Sequence, residues 1–131
     1  MIGKIILGAL AYIVPTFPYA YFWHMKIFKK KYDKWQYAGS KPSPPLGLLS
    51  MIVQGAALSY GYSMLSAERS SILTGLAYAA FMGVFFWSAH VIAGMAKNEH
   101  CRNKGFFFME TIYLAGQFAI FGLLVSLIYA F

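Results

Sequence analysis

Residues 72–96 decide the fold, and they read ILTGLAYAAFMGVFFWSAHVIAGMA. This stretch contains no lysine, arginine, aspartate or glutamate. A helix of about 20 residues or more is long enough to cross the ~30 Å hydrocarbon core of a bilayer. Lipid offers no hydrogen-bond partners to a backbone, so such a segment is predicted to span the membrane as an α-helix.

Three further apolar stretches have a similar length, and none shows the polar-apolar alternation that transmembrane strands need. We therefore predict an all-α fold in which residues 1–131 form a single transmembrane domain. Its four helices are expected at about 2–23, 46–65, 72–96 and 106–129.

The overall composition points the same way. Hydrophobic residues make up 60% of the chain and charged residues only 11%, whereas soluble domains are about 25% charged. A soluble fold of this size cannot bury so much apolar surface. The composition excludes a soluble enzyme, a disordered tail and a disulfide scaffold, since Cys101 is the only cysteine.

The positive charges predict the orientation in the membrane. Nine of the eleven lysines and arginines lie in residues 24–45 and 97–105, and the other two are Lys4 and Arg69. Positively charged loops tend to stay in the cytoplasm, so both basic loops are expected inside and both termini outside. This local charge does not suggest a nucleic-acid partner. We expect a multi-pass protein of the bacterial inner membrane, with the lipid bilayer around it.

Small and amide-bearing residues predict where the helices touch. Small residues repeat every four positions in two segments, which favours close helix packing. They are Gly75, Ala79 and Gly83 in the third segment, and Gly55, Ser59 and Ser63 in the second.

Gln54 and Gln117 are expected to form hydrogen bonds between helices, and each such bond is worth about 1 kcal/mol. Pro15 and Pro18 are expected to kink or break the first helix.

Aromatic residues crowd the predicted cytoplasmic ends of the helices, which is typical of an interfacial belt. They include Trp23, Trp35, Tyr37 and Phe106.

Three ionisable residues inside the apolar segments are the candidate site, because such groups are costly in a membrane. His90 lies seven residues before Lys97, and Glu110 lies five residues after Gly105, which is about 10 Å and about 8 Å along a helix. His24 lies at the cytoplasmic end of the first helix. The three side chains are therefore expected at one depth, and His90 and Glu110 are expected to approach one another.

The chemistry of this polar cluster has several interpretations. It can be structural, holding helices together, or it can relay protons or bind a metal ion. Two histidines could also ligate haem, and the scattered methionines could suggest copper. His100 and Cys101 are too few for a structural zinc site. We expect no catalytic residue, no metal and no cofactor.

The chain also resembles a group of small bacterial four-helix inner-membrane proteins of unknown function. The matching residues are Phe17-Pro18, Trp23-His24, Phe28, Tyr32, Pro45-Leu46-Gly47, Ser50-Met51, Gln54-Gly55, Met82-Gly83, Trp87-Ser88, His90, Ala96-Lys97, Glu110-Thr111, Gln117-Phe118 and Ile128-Tyr129. The resemblance implies an inner-membrane location and assigns no catalytic residue.

The leading functional prediction is a non-catalytic accessory or structural subunit of a larger membrane complex. The loops are too short for a separate extramembrane site, and no catalytic motif is present. The alternative is a small oligomeric transporter or channel that uses the His24, His90 and Glu110 cluster. The third is a redox protein that binds haem or metal. The expected partners are other membrane subunits or further copies of the chain.

Overall fold

A computed structural model describes residues 1–131, and all of its regular structure is helical. The four long helices are α1 (Ile2–Phe22), α3 (Pro44–Ser63), α4 (Ile72–Trp87) and α6 (Lys104–Ala130), and the two short ones are α2 (Lys29–Lys34) and α5 (Ala93–Lys97). A turn of π-helix follows α1 at Trp23–Ile27, and another joins α4 to α5 at Ser88–Ile92. The all-α prediction is confirmed.

Three continuous helical stretches are long and apolar enough to cross a membrane: Ile2–Ile27, Ile72–Lys97 and Lys104–Ala130. This supports a multi-pass membrane protein. The helix α3 has 20 residues but is not among these stretches, because serines and Gln54 lower its hydropathy. A fourth span therefore stays a prediction.

The helix ends differ from the predicted ones by about two residues. The helix α3 begins at Pro44, because prolines fit the first turn of a helix, where no backbone N–H is needed. It ends at Ser63. The α6 helix begins at Lys104. Its N-cap is Asn103, whose side chain accepts a hydrogen bond from the Phe106 N–H. The helix α1 runs unbroken through its two prolines, so the alternative of a broken first helix is wrong.

The long helices pack in the order α3, α1, α6, α4. The α1 helix packs against both α3 and α6, and α6 packs against both α1 and α4. The helices α3 and α4 are consecutive in the chain, yet they meet mainly through side chains. The Tyr78 hydroxyl donates to the Leu58 carbonyl oxygen at 2.8 Å. The helix α6 therefore provides ten of the 24 buried residues, more than any other helix.

Small residues lie at the closest approaches of these helices. A Cβ atom built on Gly122 of α6 would lie 2.8 Å from the Gly75 carbonyl oxygen of α4. A Cβ on Gly55 of α3 would lie 3.0 Å from the Ala9 carbonyl oxygen of α1. Other members of the predicted stripes face neighbouring helices as well: Ala79, Gly83 and Ser59.

A chain of hydrogen bonds joins three helices near their midpoints. The Gln117 side-chain amide donates to the Tyr12 hydroxyl at 2.7 Å, and that hydroxyl donates to Gln54 Oε1 at 2.7 Å. The Gln54 amide then donates to the Ser50 hydroxyl at 2.8 Å. The two predicted glutamines are thus linked through Tyr12, which is fully buried.

The first half of α3 has little protein around it. Every residue from 44 to 50 is exposed, although the second half packs against α1 through Gly55 and Ser59. The bundle is therefore open beside the N-terminal half of α3.

Candidate functional site, a buried carboxylate between two histidines

Glu110 lies at the centre of the candidate site. It is in the second turn of α6, on the face that also carries buried Tyr113 and Gln117. Its exposure is 0%, so the carboxylate has no contact with the surroundings of the protein. An ionised group in such a place needs hydrogen-bond donors of its own, and two histidines supply them.

His24 reaches Glu110 from the π-helical turn that follows α1. Its Nε2 lies 3.1 and 3.0 Å from the two carboxylate oxygens, and its Nδ1 lies 2.9 Å from the Ala20 carbonyl oxygen. A carbonyl oxygen can only accept, so Nδ1 carries a hydrogen. The contact between Nε2 and the carboxylate then requires one further proton, on either His24 or Glu110. The pair holds this proton between them.

His90 reaches Glu110 from the π-helical turn that follows α4. Its Nε2 lies 3.2 Å from Glu110 Oε1, and its ring stacks on Phe86 with 5.5 Å between ring centroids. The His90 side chain is 31% exposed, against 8% for the His24 side chain. His90 is therefore the more accessible of the two histidines.

Tyr37 completes the cluster from the connection between α2 and α3. Its hydroxyl lies 2.9 Å from His90 Nε2 and 3.5 Å from Glu110 Oε1. Burial and the nearby Glu110 charge raise the pKa of Tyr37 well above its usual range, so the phenol keeps its hydrogen. The phenol O–H donates to His90 Nε2 when this nitrogen carries no hydrogen, and it donates to Glu110 when Nε2 does carry one.

Three tyrosines surround the His24 ring. Tyr37 stacks parallel to it with 4.8 Å between ring centroids. Tyr32 and Tyr113 each form an edge-to-face pair with it, with 4.5 Å between ring centroids. These contacts hold the imidazole in the orientation that faces Glu110.

The predicted aromatic belt is partly wrong, because several of its members are core residues. Trp35 is 7% exposed and Phe106 is 1% exposed, and their rings meet edge to face at 5.7 Å between centroids. The segment after α1 folds back under the bundle, which brings these rings against α6 instead of the lipid interface.

Hydrogen bonds within and between the two basic connections close this end of the bundle. Within the segment after α1, the Trp23 indole N–H donates to the Tyr32 hydroxyl at 2.8 Å. Between the two connections, the Asn98 amide donates to the Gln36 carbonyl oxygen at 3.3 Å. The Cys101 thiol is buried and donates to the Trp35 carbonyl oxygen at 3.3 Å. His100 is exposed and lies apart from the cluster.

The structure thus brings together all three residues that the sequence analysis singled out. Tyr37 is the participant that the sequence analysis missed. It lies in a lysine-rich connection, and no spacing rule connects it to a membrane-embedded carboxylate. The chain has no group of three or more histidine, cysteine, aspartate or glutamate side chains that could hold a metal ion. The imidazole nitrogens instead make hydrogen bonds to the carboxylate.

The fold and the cluster define an all-helical, multi-pass type of membrane protein with an ionisable centre at one end of its spanning helices. Comparison with models of protein families, with curated proteins and with solved structures gives no match. The resemblance to small four-helix inner-membrane proteins stays a prediction.

Proposed function

We propose that the chain is a small proton-coupled transporter of the bacterial inner membrane, with its basic connections in the cytoplasm, and that the Glu110 cluster takes up and releases the coupling proton. One observation carries the proposal: a fully buried carboxylate lies within hydrogen-bond distance of two histidines, and one of these is partly exposed. Ionisable residues inside membrane helices commonly mark proton pathways.

Stability alone is a weak reason for this arrangement. Replacing a buried ion pair by well-packed apolar residues is often neutral or stabilising. The helices already meet closely through glycines and through the Tyr12 network. A cluster of three ionisable groups therefore suggests a role beyond holding the bundle together.

The backbone geometry adds support. Both histidines lie in π-helical turns, His24 within Trp23–Ile27 and His90 within Ser88–Ile92. Such turns are rare and occur frequently at functional sites, because the extra residue re-aims side chains. Here each wide turn belongs to a histidine whose Nε2 faces the same carboxylate.

The hydrogen bonds allow a balanced proton transfer. One proton binds His90 Nδ1, and the hydrogen on Nε2 passes to Glu110 Oε1, which leaves His90 neutral and Glu110 protonated. The Tyr37 hydroxyl then donates to the bare Nε2, 2.9 Å away. His24 cannot pass the proton onward through Nδ1, because this nitrogen ends at the Ala20 carbonyl oxygen. Because the proton has no onward path through His24, the arrangement favours a transporter over an open proton channel. A transporter couples proton binding to a change of shape.

Infrared difference spectroscopy tests the proposal directly. The full chain is reconstituted in lipid, and spectra are recorded between mildly acidic and mildly alkaline pH. We expect a protonated-carboxyl band that changes with pH and disappears in Glu110→Gln. The matched control is Glu99→Gln, an exposed glutamate outside the cluster, which should retain the band. A spectrum with no pH-dependent carboxyl or imidazole band would contradict proton exchange at this site.

An accessory subunit of a larger complex is the second candidate, and one observation favours it. Residues 44–50, in the N-terminal half of α3, are exposed, and they include the polar Ser50. Polar and small residues are typical of helix contacts in membranes. Purification from native membranes in mild detergent, followed by mass analysis, distinguishes the two candidates. A fixed ratio to larger subunits supports the accessory role, and homo-oligomers alone support the transporter.

A further inference from the structure

A second polar site lies at the end of the bundle opposite Glu110. It is a pocket of about 340 Å³. Lys4 near the start of α1, Tyr129 near the end of α6, and residues 66–70 between α3 and α4 line it. Three separate parts of the chain thus meet around one cavity at the ends of the helices.

Two cations lie against one aromatic ring in this pocket. The Lys4 ammonium nitrogen and the Arg69 guanidinium carbon each lie 5.3 Å from the Tyr129 ring centroid. Neither side chain takes part in a salt bridge of the structure. Both cations line the same pocket, so an anion bound in the pocket would be stabilised by both.

The Arg69 segment is held in place before any ligand binds. The Tyr62 hydroxyl donates to the Arg69 carbonyl oxygen at 2.6 Å, and the guanidinium donates to the Ser63 carbonyl oxygen. The remaining guanidinium N–H groups stay available to a ligand. In addition, the Tyr129 hydroxyl is buried and has no hydrogen-bond partner in the chain.

Glu68 adds one negative charge to the two positive charges of the pocket. Glu68 Oε1 accepts from the Ser70 backbone N–H at 3.2 Å and from the Ser70 hydroxyl. These hydrogen bonds lower the pKa of Glu68. Its Oε2 has no partner in the chain and can accept from a cation.

We infer that this pocket binds a phosphoethanolamine headgroup, with the phosphate between Lys4 and Arg69 and the ammonium on Glu68 Oε2. Two positive groups and one negative group complement a ligand that carries one phosphate and one primary amine. Arginine and lysine are the usual phosphate partners. A primary ammonium can donate hydrogen bonds to Glu68, whereas the trimethylated ammonium of a choline headgroup cannot.

The surroundings point to a phospholipid as the source of this headgroup. Ile2 is 75% exposed and Phe131 is 96% exposed, and they lie two residues along the chain from Lys4 and Tyr129, so apolar side chains are exposed near the pocket. Acyl chains attached to the headgroup would run along α1 and α6. Soluble glycerophosphoethanolamine has the same polar groups without the chains, and it serves to separate the two sources.

Native mass spectrometry of the full chain in detergent tests the inference, with phosphatidylethanolamine, phosphatidylcholine or glycerophosphoethanolamine added. We expect retention of phosphatidylethanolamine above the other two. Lys4→Gln should weaken that retention roughly fivefold, since one basic residue near a membrane surface contributes about that much. Lys26→Gln is the matched control, because Lys26 lies 5.7 Å from the Tyr21 ring centroid at the other end of α1.

A further variant tests the amine half of the site. Glu68→Gln should bring retention of phosphatidylethanolamine down to that of phosphatidylcholine. Glu68 is exposed, so this change should leave the fold intact. Equal retention of the two lipids by the unaltered protein, or equal losses in Lys4→Gln and Lys26→Gln, would overturn the inference. Retention of glycerophosphoethanolamine as strong as that of the lipid would overturn the lipid assignment.

Discussion

His24 and Glu110 are 86 residues apart in the chain, yet Nε2 of one lies 3.0 Å from a carboxylate oxygen of the other. The contact joins the end of α1 to the second turn of α6. Since the two ionisable groups are in direct contact, the charge on one affects the charge that the other carries. This coupling leads to the first prediction.

We predict that His24→Phe destabilises the protein more than the double change of His24→Phe with Glu110→Leu. The single variant leaves a buried carboxylate without its main donor, and breaking a buried pair in this way costs about 3 kcal/mol. The double variant removes the charge as well. Thermal unfolding in detergent measures both, with exposed Lys30→Gln as the control. A double variant that is no more stable than His24→Phe would contradict the coupling.

We predict that Tyr12→Phe lowers the free energy of unfolding by about 1–2 kcal/mol. The change removes the hydroxyl that joins Gln117 to Gln54, while the ring keeps its contacts. Tyr60→Phe is the control, because Tyr60 is exposed on α3. Equal midpoints of unfolding for the two variants would show that the midpoint hydrogen bonds contribute nothing measurable.

We predict that Gly75→Ala destabilises the contact between α4 and α6 by about 1–3 kcal/mol. A Cβ at Gly75 would overlap the Gly122 carbonyl oxygen, and backbone atoms cannot turn aside as a side chain can. Gly94→Ala is the matched control, because a Cβ there meets no atom within 4 Å. By the same reasoning, Gly83→Leu should cost more stability than Val84→Leu. Similar losses in the paired glycine variants would argue against tight packing along this stripe.

We predict that the connections rich in lysine face the cytoplasm. Cys101 is a poor probe, because it is buried and burial raises the pKa of its thiol. It is therefore replaced by alanine, and a cysteine is introduced at exposed Lys41 or exposed Ala67. A membrane-impermeant thiol reagent applied to intact cells should label Ala67→Cys and spare Lys41→Cys. The reverse pattern would invert the orientation.

Much of the site could be predicted from sequence because helix geometry is regular. His90 and Glu110 stand at similar distances from the connection between α5 and α6, so counting residues places them at one depth. The involvement of His24 depends on how α1 ends, and a π-helical turn has no recognisable sequence signal. Tyr37 was beyond prediction, because its place depends on how residues 28–37 fold back on the bundle.

The second apolar stretch shows the limit of hydropathy. Its length predicts a helix, and α3 is one, but length alone does not say what surrounds it. Gly55 and Ser59, which the four-residue repeat of small residues singles out, lie against α1 in the second half of α3. The exposure of residues 44–50 depends on the path of the neighbouring helices, which no local pattern encodes.

The packing order α3, α1, α6, α4 also bears on how the chain assembles in a membrane. Its first half forms one helical pair, α1 with α3, and its second half forms another, α4 with α6. The first pair can therefore associate during synthesis before the second is complete. His24 belongs to the first pair, and Glu110 and His90 belong to the second. The Glu110 carboxylate thus contacts His24 only when the two halves join. If the chain is divided between residues 66 and 71 and the two fragments are co-expressed, we expect them to associate through this contact.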